Sequence, residues 1–142
     1  MPENPPAGTP RCCPCLFYDD MAGAIAFLER AFAFEKRFSH AMADGTIGHA
    51  QLVYQDALVM LSPTHSPGAL RPVKSAGSGP LHAAIYLFVD DVDAHCVRAR
   101  KAGATILLEP TDMFWGDRIY CANDSEGQFW TFAKHVRDVK FG

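Results

Sequence analysis

The chain has 142 residues, a formal net charge of −3, an apolar share of 49% and a charged share of 20%, the composition of one globular domain with a substantial core. The mild charge and the scattered Lys and Arg residues argue against nucleic-acid binding. No apolar run approaches the roughly 20 residues of a membrane helix, and the N-terminus lacks the layout of a secretory signal, so we expect a cytoplasmic protein with no membrane partner.

The Pro-rich residues 1–11 predict a loose N-terminal arm. "CCPC" (12–15) follows this arm and holds three of the five cysteines. An odd cysteine count without a secretory signal indicates a reducing compartment instead of a disulfide framework. The C-x-x-C spacing is typical of redox or zinc sites, but no second cysteine pair is present and an apolar run follows instead of a helix. We therefore interpret these cysteines as small apolar strand residues.

A short apolar segment that ends in two aspartates, "LFYDD" (16–20), predicts a strand followed by the start of a helix. Either aspartate can accept hydrogen bonds from the free N–H groups of a first helical turn. Apolar residues then recur at helical spacing at Met21, Ile25, Leu28 and Phe32. A strand over 35–39 and a hairpin over 49–62 complete a βαβββ unit.

The same pattern returns 71 residues later, after a segment rich in Pro, Gly and Ser that predicts an exposed linker. "LFVDD" (87–91) matches the first motif, and the apolar helix positions recur at Val92, Cys96, Ala99 and Gly103. A strand over 105–108 and a hairpin over 120–133 follow at the same offset, which we expect to hold without a gap. The second half therefore predicts a second βαβββ unit.

The whole chain is predicted as two tandem βαβββ modules of the α+β class. Its expected parts are an N-terminal arm (1–11), a first module (12–62), a linker (63–81), a second module (82–135) and a C-terminal tail (136–142). One helix can cover only one face of a four-stranded sheet, so the remaining faces must pack together or surround a ligand. We expect a curved mixed sheet around a central trough.

These segments resemble the vicinal oxygen chelate superfamily, which includes glyoxalase I, extradiol dioxygenases, fosfomycin-resistance enzymes and bleomycin-resistance proteins. "AIAFLERAFAFE" and "VDDVDAHCVRARKAGA" resemble its two helices, and "WGDRIYCANDSEGQFWTFA" resembles its closing hairpin. With "GHAQLVYQDALVMLS", the resemblance covers most of 14–135 and is strongest to the small glyoxalase/bleomycin-resistance-like and PhnB-like proteins. It implies the glyoxalase/bleomycin-resistance fold and a homodimer.

Catalytic members of this superfamily bind a divalent metal through four side chains on four strands, and the metal acts as a Lewis acid. The resemblance carries these four positions onto Cys13, Met60, Ala84 and Thr131. None is the imidazole or carboxylate that such metals need, so we expect neither a metal at the usual site nor another cofactor. A displaced site built on His49 and His82, with Cys13 as a further ligand, is the alternative.

Alternation along the strands predicts an apolar, aromatic and sulfur-rich trough face, the composition of a pocket for a flat organic molecule. The predicted ligand-binding residues are Cys13, Phe17, His49, Gln51, Met60, His82, Tyr86, Trp115, Arg118, Tyr120, Phe129 and Thr131. A trough that has collapsed into core is the alternative. We assign Trp130 and Phe132 to the core beneath a helix, and His65, His95 and His135 to solvent.

"DMFWGDRIY" (112–120) is the predicted specificity element, a loop between two strands in which Arg118 and Tyr120 share one face. There Arg118 could bind a ligand carboxylate or stack on a ring. An equally good interpretation is that Asp117 and Arg118 pair locally and Trp115 seals the end of the trough.

Three functions are open to such a chain. The first is metal-independent binding of a small aromatic or amphipathic molecule in the cleft between the modules. The second is a metal-dependent lyase, isomerase or dioxygenase with a displaced metal site. The third is a structural or regulatory homodimer without a ligand.

Overall fold

The computed structural model describes residues 2–65, 79 and 83–140. Within them the order strand, helix, three strands occurs twice, as predicted. The elements are β1 (Cys15–Tyr18), α1 (Met21–Phe32), β2 (Glu35–Ala41), β3 (Ile47–Tyr54), β4 (Ala57–Pro63), β5 (Ile85–Phe88), α2 (Val92–Lys101), β6 (Thr105–Asp112), β7 (Asp117–Asn123) and β8 (Phe129–His135). Neither helix is long and apolar enough to cross a membrane.

Each helix begins at the second aspartate of a repeated motif. Oδ1 of Asp20 accepts a hydrogen bond from the backbone N–H of Gly23 at 3.0 Å, and Oδ1 of Asp91 accepts one from Ala94 at 3.0 Å. Both bonds satisfy an N–H group that has no partner within its helix. The predicted role of the aspartate pairs in starting the helices is confirmed.

The strands form two four-stranded mixed sheets of the same topology, β1-β4-β3-β2 and β5-β8-β7-β6. In each sheet the first and last strands of the module pair in parallel, and the other pairs are antiparallel. Two βαβββ modules of the α+β class are therefore present, as the sequence predicted.

One large core cluster joins the two modules on the helix side of both sheets. The ring of Phe32, at the end of α1, lies 5.4 Å from Trp130 and 4.7 Å from Phe132 of β8, centroid to centroid. All three side chains are fully buried, which confirms the assignment of Trp130 and Phe132 to the core beneath a helix.

An arginine from the last turn of each helix also donates hydrogen bonds to backbone carbonyls at the end of the other helix. Arg98 of α2 donates to the backbone carbonyls of Glu29 and Arg30 at 3.1 and 3.0 Å, and Arg30 of α1 donates to the carbonyl of Ala102 at 3.3 Å. Such carbonyls lack partners within their own helix, so a cation from the neighbouring helix stabilises each end.

The second hairpin differs from the first by one residue. Met60 and Thr131 keep the offset of 71. Their cross-strand partners, Gln51 and Cys121, are separated from each other by one residue less than this offset. The expectation of a gapless offset is therefore wrong for β7. Because successive strand residues point to opposite faces, this one-residue difference exchanges the two faces of β7 relative to the prediction.

Candidate functional site

Each sheet lays one face against the helices, and in the described residues its opposite face carries no helix; we call this the open face. On the first sheet it carries Phe17, His49, Gln51 and Met60, four of the predicted ligand-binding residues. Gln51 pairs with Met60 across strands, and its Nε2 lies 3.3 Å from Nε2 of His49. Cys13 precedes β1 and donates its thiol hydrogen to the carbonyl of Pro10 at 3.3 Å.

The open face of the second sheet carries the predicted residues Tyr86, Phe129 and Thr131, with Tyr86 and Thr131 paired across strands. A small apolar cluster fills the middle of this face; it consists of Ile119, Cys121 and Ala133, with Leu108, Met113, Trp115 and Phe129 packed against them. The edge of the face remains open, since Tyr86 is 44% exposed and Phe88 is 55% exposed.

The two open faces do not meet within the described part of one chain. The sheets are hydrogen-bonded separately, and the side chains that join the modules lie elsewhere, as with Tyr18 and Asp124. No side-chain hydrogen bond or aromatic pair between described residues joins a predicted ligand-binding residue of one face to one of the other. His82, which the sequence predicts on the trough face, lies outside the described residues.

A chain of hydrogen bonds runs across the second open face from Tyr86. The Tyr86 hydroxyl donates to Oδ2 of Asp117 at 2.6 Å and accepts from Nε1 of Trp115 at 3.1 Å. Oδ1 of Asp117 lies 2.8 Å from Nδ1 of His135, and Nε2 of the same imidazole lies 2.7 Å from Oδ1 of Asp138. Asp117 is buried, so one buried carboxylate connects two exposed side chains.

The protonation states of Asp117 and Tyr86 follow from their contacts. Burial alone would raise the pKa of Asp117, but hydrogen bonds from Tyr86 and His135 outweigh it and hold the pKa below its usual value. Burial, and then the bond to Asp117, raises the pKa of Tyr86. At neutral pH the face therefore holds an ionised, buried carboxylate and a phenol that keeps its proton.

Arg118 and Tyr120 do not lie on an open face, and this part of the prediction is wrong. The exchanged faces of β7 turn both side chains toward the helices. Tyr120 is fully buried and hydrogen-bonded to Nδ1 of His95, while Arg118 holds Asp93 of α2 through two bonds of 2.9 and 3.0 Å. It also bonds Asp112 at 3.0 Å, so the alternative interpretation, in which Arg118 pairs with Asp117, is wrong as well.

The predicted loop at 112–120 is shorter than expected, because β6 extends to Asp112 and β7 begins at Asp117. Trp115 lies in the remaining tight turn and reaches the second open face through its bond to Tyr86. Phe114 beside it is 74% exposed, with its ring 4.9 Å from that of Trp115.

Sequence reasoning missed Asp117 and His135, although two signals could have found them. Alternation from Phe129 through Thr131 and Ala133 leads to His135 on the open face, so its assignment to solvent overlooked its contact with Asp117. An allowance for one extra residue in the second turn places Asp117 on that face as well. His95, also assigned to solvent, is buried and bonded to Tyr120 and to the carbonyl of Phe32.

The superfamily's usual metal does not fit the residues at its four expected positions. A thiol, a thioether, a methyl group and a hydroxyl occur there, and hard divalent metals need carboxylate or imidazole donors. In the described ranges, no group of three or more His, Cys, Asp or Glu side chains is placed to hold a metal ion. The proposed displaced site depends on His82, which lies outside those ranges.

A cavity of about 480 Å³ lies in the first module, between the start of α1, the β2–β3 turn and the residues after β4. None of the predicted ligand-binding residues lines it. Its carboxylates already bind the chain itself: Asp20 caps α1, Asp44 accepts from the N–H and hydroxyl of Thr46, and Asp19 accepts from Thr64. Because no open-face residue named above lines the cavity, it is separate from that part of the predicted site.

Comparison with curated proteins finds similar proteins of unknown activity. An uncharacterised protein of Mycobacterium bovis is 36% identical over 133 residues, which cover 92% of this chain and 86% of the relative. An uncharacterised protein of Mycobacterium tuberculosis H37Rv is also 36% identical, over 92% of this chain and 77% of the relative.

Solved structures share the topology. TioX from Micromonospora sp. ML1 superposes with a TM-score of 0.72 at 32% identity, covering 88% of this chain and 99% of that one. A glyoxalase/bleomycin resistance protein/dioxygenase family enzyme from Burkholderia phytofirmans PsJN reaches a TM-score of 0.69 at 15% identity, over 86% and 95% of the two chains, and is similar in fold alone.

The family model for the Glyoxalase/Bleomycin resistance protein/Dioxygenase superfamily matches residues 11–132. This range contains both helices and nearly all of the eight strands found in the described residues. The chain therefore belongs to the glyoxalase/bleomycin resistance protein/dioxygenase superfamily.

Proposed function

We propose that this protein binds a small aromatic or amphipathic molecule, without a metal, in a cleft that includes the open face of the second sheet. The observation that supports this best is the set of aromatic rings beside the buried carboxylate of Asp117: Tyr86, Phe88 and Phe114 are exposed, and Trp115 is half-buried. Exposed apolar rings next to a few fixed polar groups are typical of small-molecule sites.

The proposed cleft includes both open faces and is completed in a cytoplasmic homodimer. One described chain does not join its two faces, but a second copy can lay its first sheet over the second sheet of its partner. Phe38 on the first face is 44% exposed and Phe88 on the second is 55% exposed, so such contact would remove apolar surface from water. The ligand would then lie between Met60 and Gln51 of one copy and Tyr86 of the other.

Tryptophan fluorescence tests the binding directly. The chain has two tryptophans; Trp130 is fully buried in the core, whereas Trp115 lies at the proposed site. Titration with planar aromatic compounds should quench the emission in a saturable way, and Trp115→Phe should abolish that change while binding measured by calorimetry persists.

A panel of such compounds that gives no saturable signal by either method would overturn the proposal. Quenching that survives in Trp115→Phe would move the ligand away from the second open face. Circular dichroism of the variant checks that the fold is kept.

Metal independence has its own test. Protein purified without added metal should contain far less than one equivalent of zinc, iron, nickel or manganese by elemental analysis, and chelator treatment should leave ligand affinity unchanged. A tightly held equivalent of metal that is lost in His49→Ala/His82→Ala would instead favour the displaced-site enzyme.

A further inference from the structure

The Tyr86 hydroxyl is fixed as an acceptor by its two partners. A phenol carries one O–H donor and two acceptor lone pairs. Its hydrogen is committed to Asp117 at 2.6 Å, and one lone pair takes the Trp115 N–H at 3.1 Å. What remains toward the open side is a lone pair, so a ligand can donate a hydrogen bond to Tyr86 but cannot accept one from it.

Asp117 makes this acceptor stronger. Its carboxylate is buried and ionised. A hydrogen bond to an ionised acceptor polarises the donor more than a hydrogen bond to a neutral acceptor does. The electron density on the Tyr86 oxygen is therefore higher than in a free phenol. Burial also weakens the screening of the Asp117 charge by solvent, so that its field reaches the open face.

The surrounding rings favour the same kind of group. Phe88 packs edge-on against Tyr86, with the ring centroids 5.5 Å apart, and both rings are about half exposed. Aromatic faces carry negative electrostatic potential and attract cations. The surface thus combines two exposed ring faces with an electron-rich oxygen.

On the second sheet, the cationic side chains near Tyr86 are held by other groups, and Arg37 of the first sheet is bonded to Gln51 at 3.4 Å. Arg118 lies on the helix side, held by Asp93 and Asp112. Arg137 bonds the carbonyl of Phe114 at 3.2 Å. His135 contacts the far oxygen of Asp117 and Asp138, not Tyr86. No described cationic side chain bonds to the Tyr86 oxygen.

We infer that the ligand is a flat aromatic compound with a protonated nitrogen, whose N–H donates to Tyr86 while its ring lies against Tyr86 and Phe88. This inference rests on the proposed function and adds the charge of the ligand to it. It also makes Tyr86 and Asp117 the residues that distinguish a cation from a neutral compound of the same shape.

Two dyes of one shape provide the test. At pH 8, 9-aminoacridine is a cation and acridine is neutral, and their affinities can be measured by calorimetry on the full chain. We expect the cation to bind about tenfold more tightly. Tyr86→Phe and Asp117→Asn should each reduce this preference to less than about threefold, whereas Asp56→Asn, the same chemical change in the exposed β3–β4 turn, should leave it intact.

The outcomes separate this inference from the proposal beneath it. Equal affinity for both dyes, tighter binding of acridine, or a full preference in Tyr86→Phe would overturn the cation inference while leaving aromatic binding in place. Failure of both dyes to bind, with folded protein by circular dichroism, would overturn the inference together with the proposed function for this ligand class.

Discussion

Two buried aspartates of the second module show how one residue type can serve two purposes. Asp124 accepts four hydrogen bonds, from Tyr18, Trp130 and the backbone of Glu126 and Gln128, at 2.6 to 3.1 Å. All of these donors belong to the protein interior and to the β7–β8 turn. The donors to Asp117, by contrast, lie at an exposed edge. Asp124 therefore stabilises the fold, whereas Asp117 bonds the exposed side chains of Tyr86 and His135 and would act in the proposed site through Tyr86.

Replacement of Asp124 by Ala should lower the free energy of unfolding by about 3 kcal/mol, because it leaves buried Tyr18 and Trp130 donors without a partner. Tyr18→Phe, which removes one donor and leaves the carboxylate three others, should cost about 1 kcal/mol. Urea denaturation followed by circular dichroism measures both. If Asp124→Ala lowered the free energy of unfolding by less than Tyr18→Phe does, the stabilising role of Asp124 would be contradicted.

The imidazole of His135 should titrate above its ordinary pKa. The hydrogen bond to Asp138, and then the one to Asp117, favours its protonated form. Because this pKa is raised in the folded state, its stabilising effect is complete below the ordinary value and disappears as pH rises through the raised one. An NMR titration of the imidazole checks the direction, and Asp138→Asn should lower the pKa toward normal. A pKa at or below the ordinary value would exclude the two carboxylates as effective partners.

At the scale of elements, the one-residue difference between the hairpins decides what the second open face contains. The positions of both helices followed from the repeated offset, since each helix has the same capping aspartate and the same apolar spacing. The length of a turn has no comparable signal, because the sequences of "QDA" and "DSEG" do not fix which residue pairs with which. Alternation at the repeated offset therefore places the residues of β7 on the wrong faces and leaves Asp117 off the open face.

The buried His95 of α2 is expected to make stability depend on pH. Burial lowers its pKa to about 4, and its contacts fit a neutral ring that donates from Nε2 to the carbonyl of Phe32 and accepts from Tyr120. The unfolded chain binds this proton at the ordinary pKa near 6.5. The stabilisation is thus complete above about pH 6.5 and is lost as pH falls toward 4, by about 3 kcal/mol.

His95→Gln supplies the matched control, because its amide can also donate and accept but does not titrate. Unfolding free energies of both proteins should be measured between pH 4 and 7. The wild-type protein should lose stability relative to the variant across that range. Parallel pH profiles would show that His95 is not the titrating group.

At the scale of the whole molecule, the sequence predicted the module order and topology class but not which surfaces remain open. The amphipathic helices and apolar strands identify one buried face per sheet. They do not say whether the opposite faces close on each other, because that depends on the relative orientation of the modules. The contact of Phe32 with Trp130 and Phe132, which fixes this orientation, joins residues nearly 100 positions apart.

The proposed dimer predicts a sedimenting mass of about twice the 15.6 kDa of one chain. Phe88→Asp should shift this mass toward the monomer, because it places a charge at the centre of the expected contact. Val97→Asp is the matched control: Val97 is about as exposed, at 50%, but lies on the outer surface of α2. Monomeric wild-type protein, or equal dissociation of both variants, would contradict the arrangement.

The arginines exchanged between α1 and α2 bear on the history of the chain. Arg98 donates to a carbonyl at the end of α1, in the first half, and Arg30 donates to one at the end of α2, in the second half. Both halves also share a single aromatic core. If the polypeptide were cut within the linker, each separate fragment would have helix-end carbonyls without hydrogen-bond partners and aromatic core side chains exposed to solvent. Two such fragments should therefore reassemble when mixed instead of folding alone, and a single-module ancestor would have needed a second molecule to supply what the duplicated half now provides.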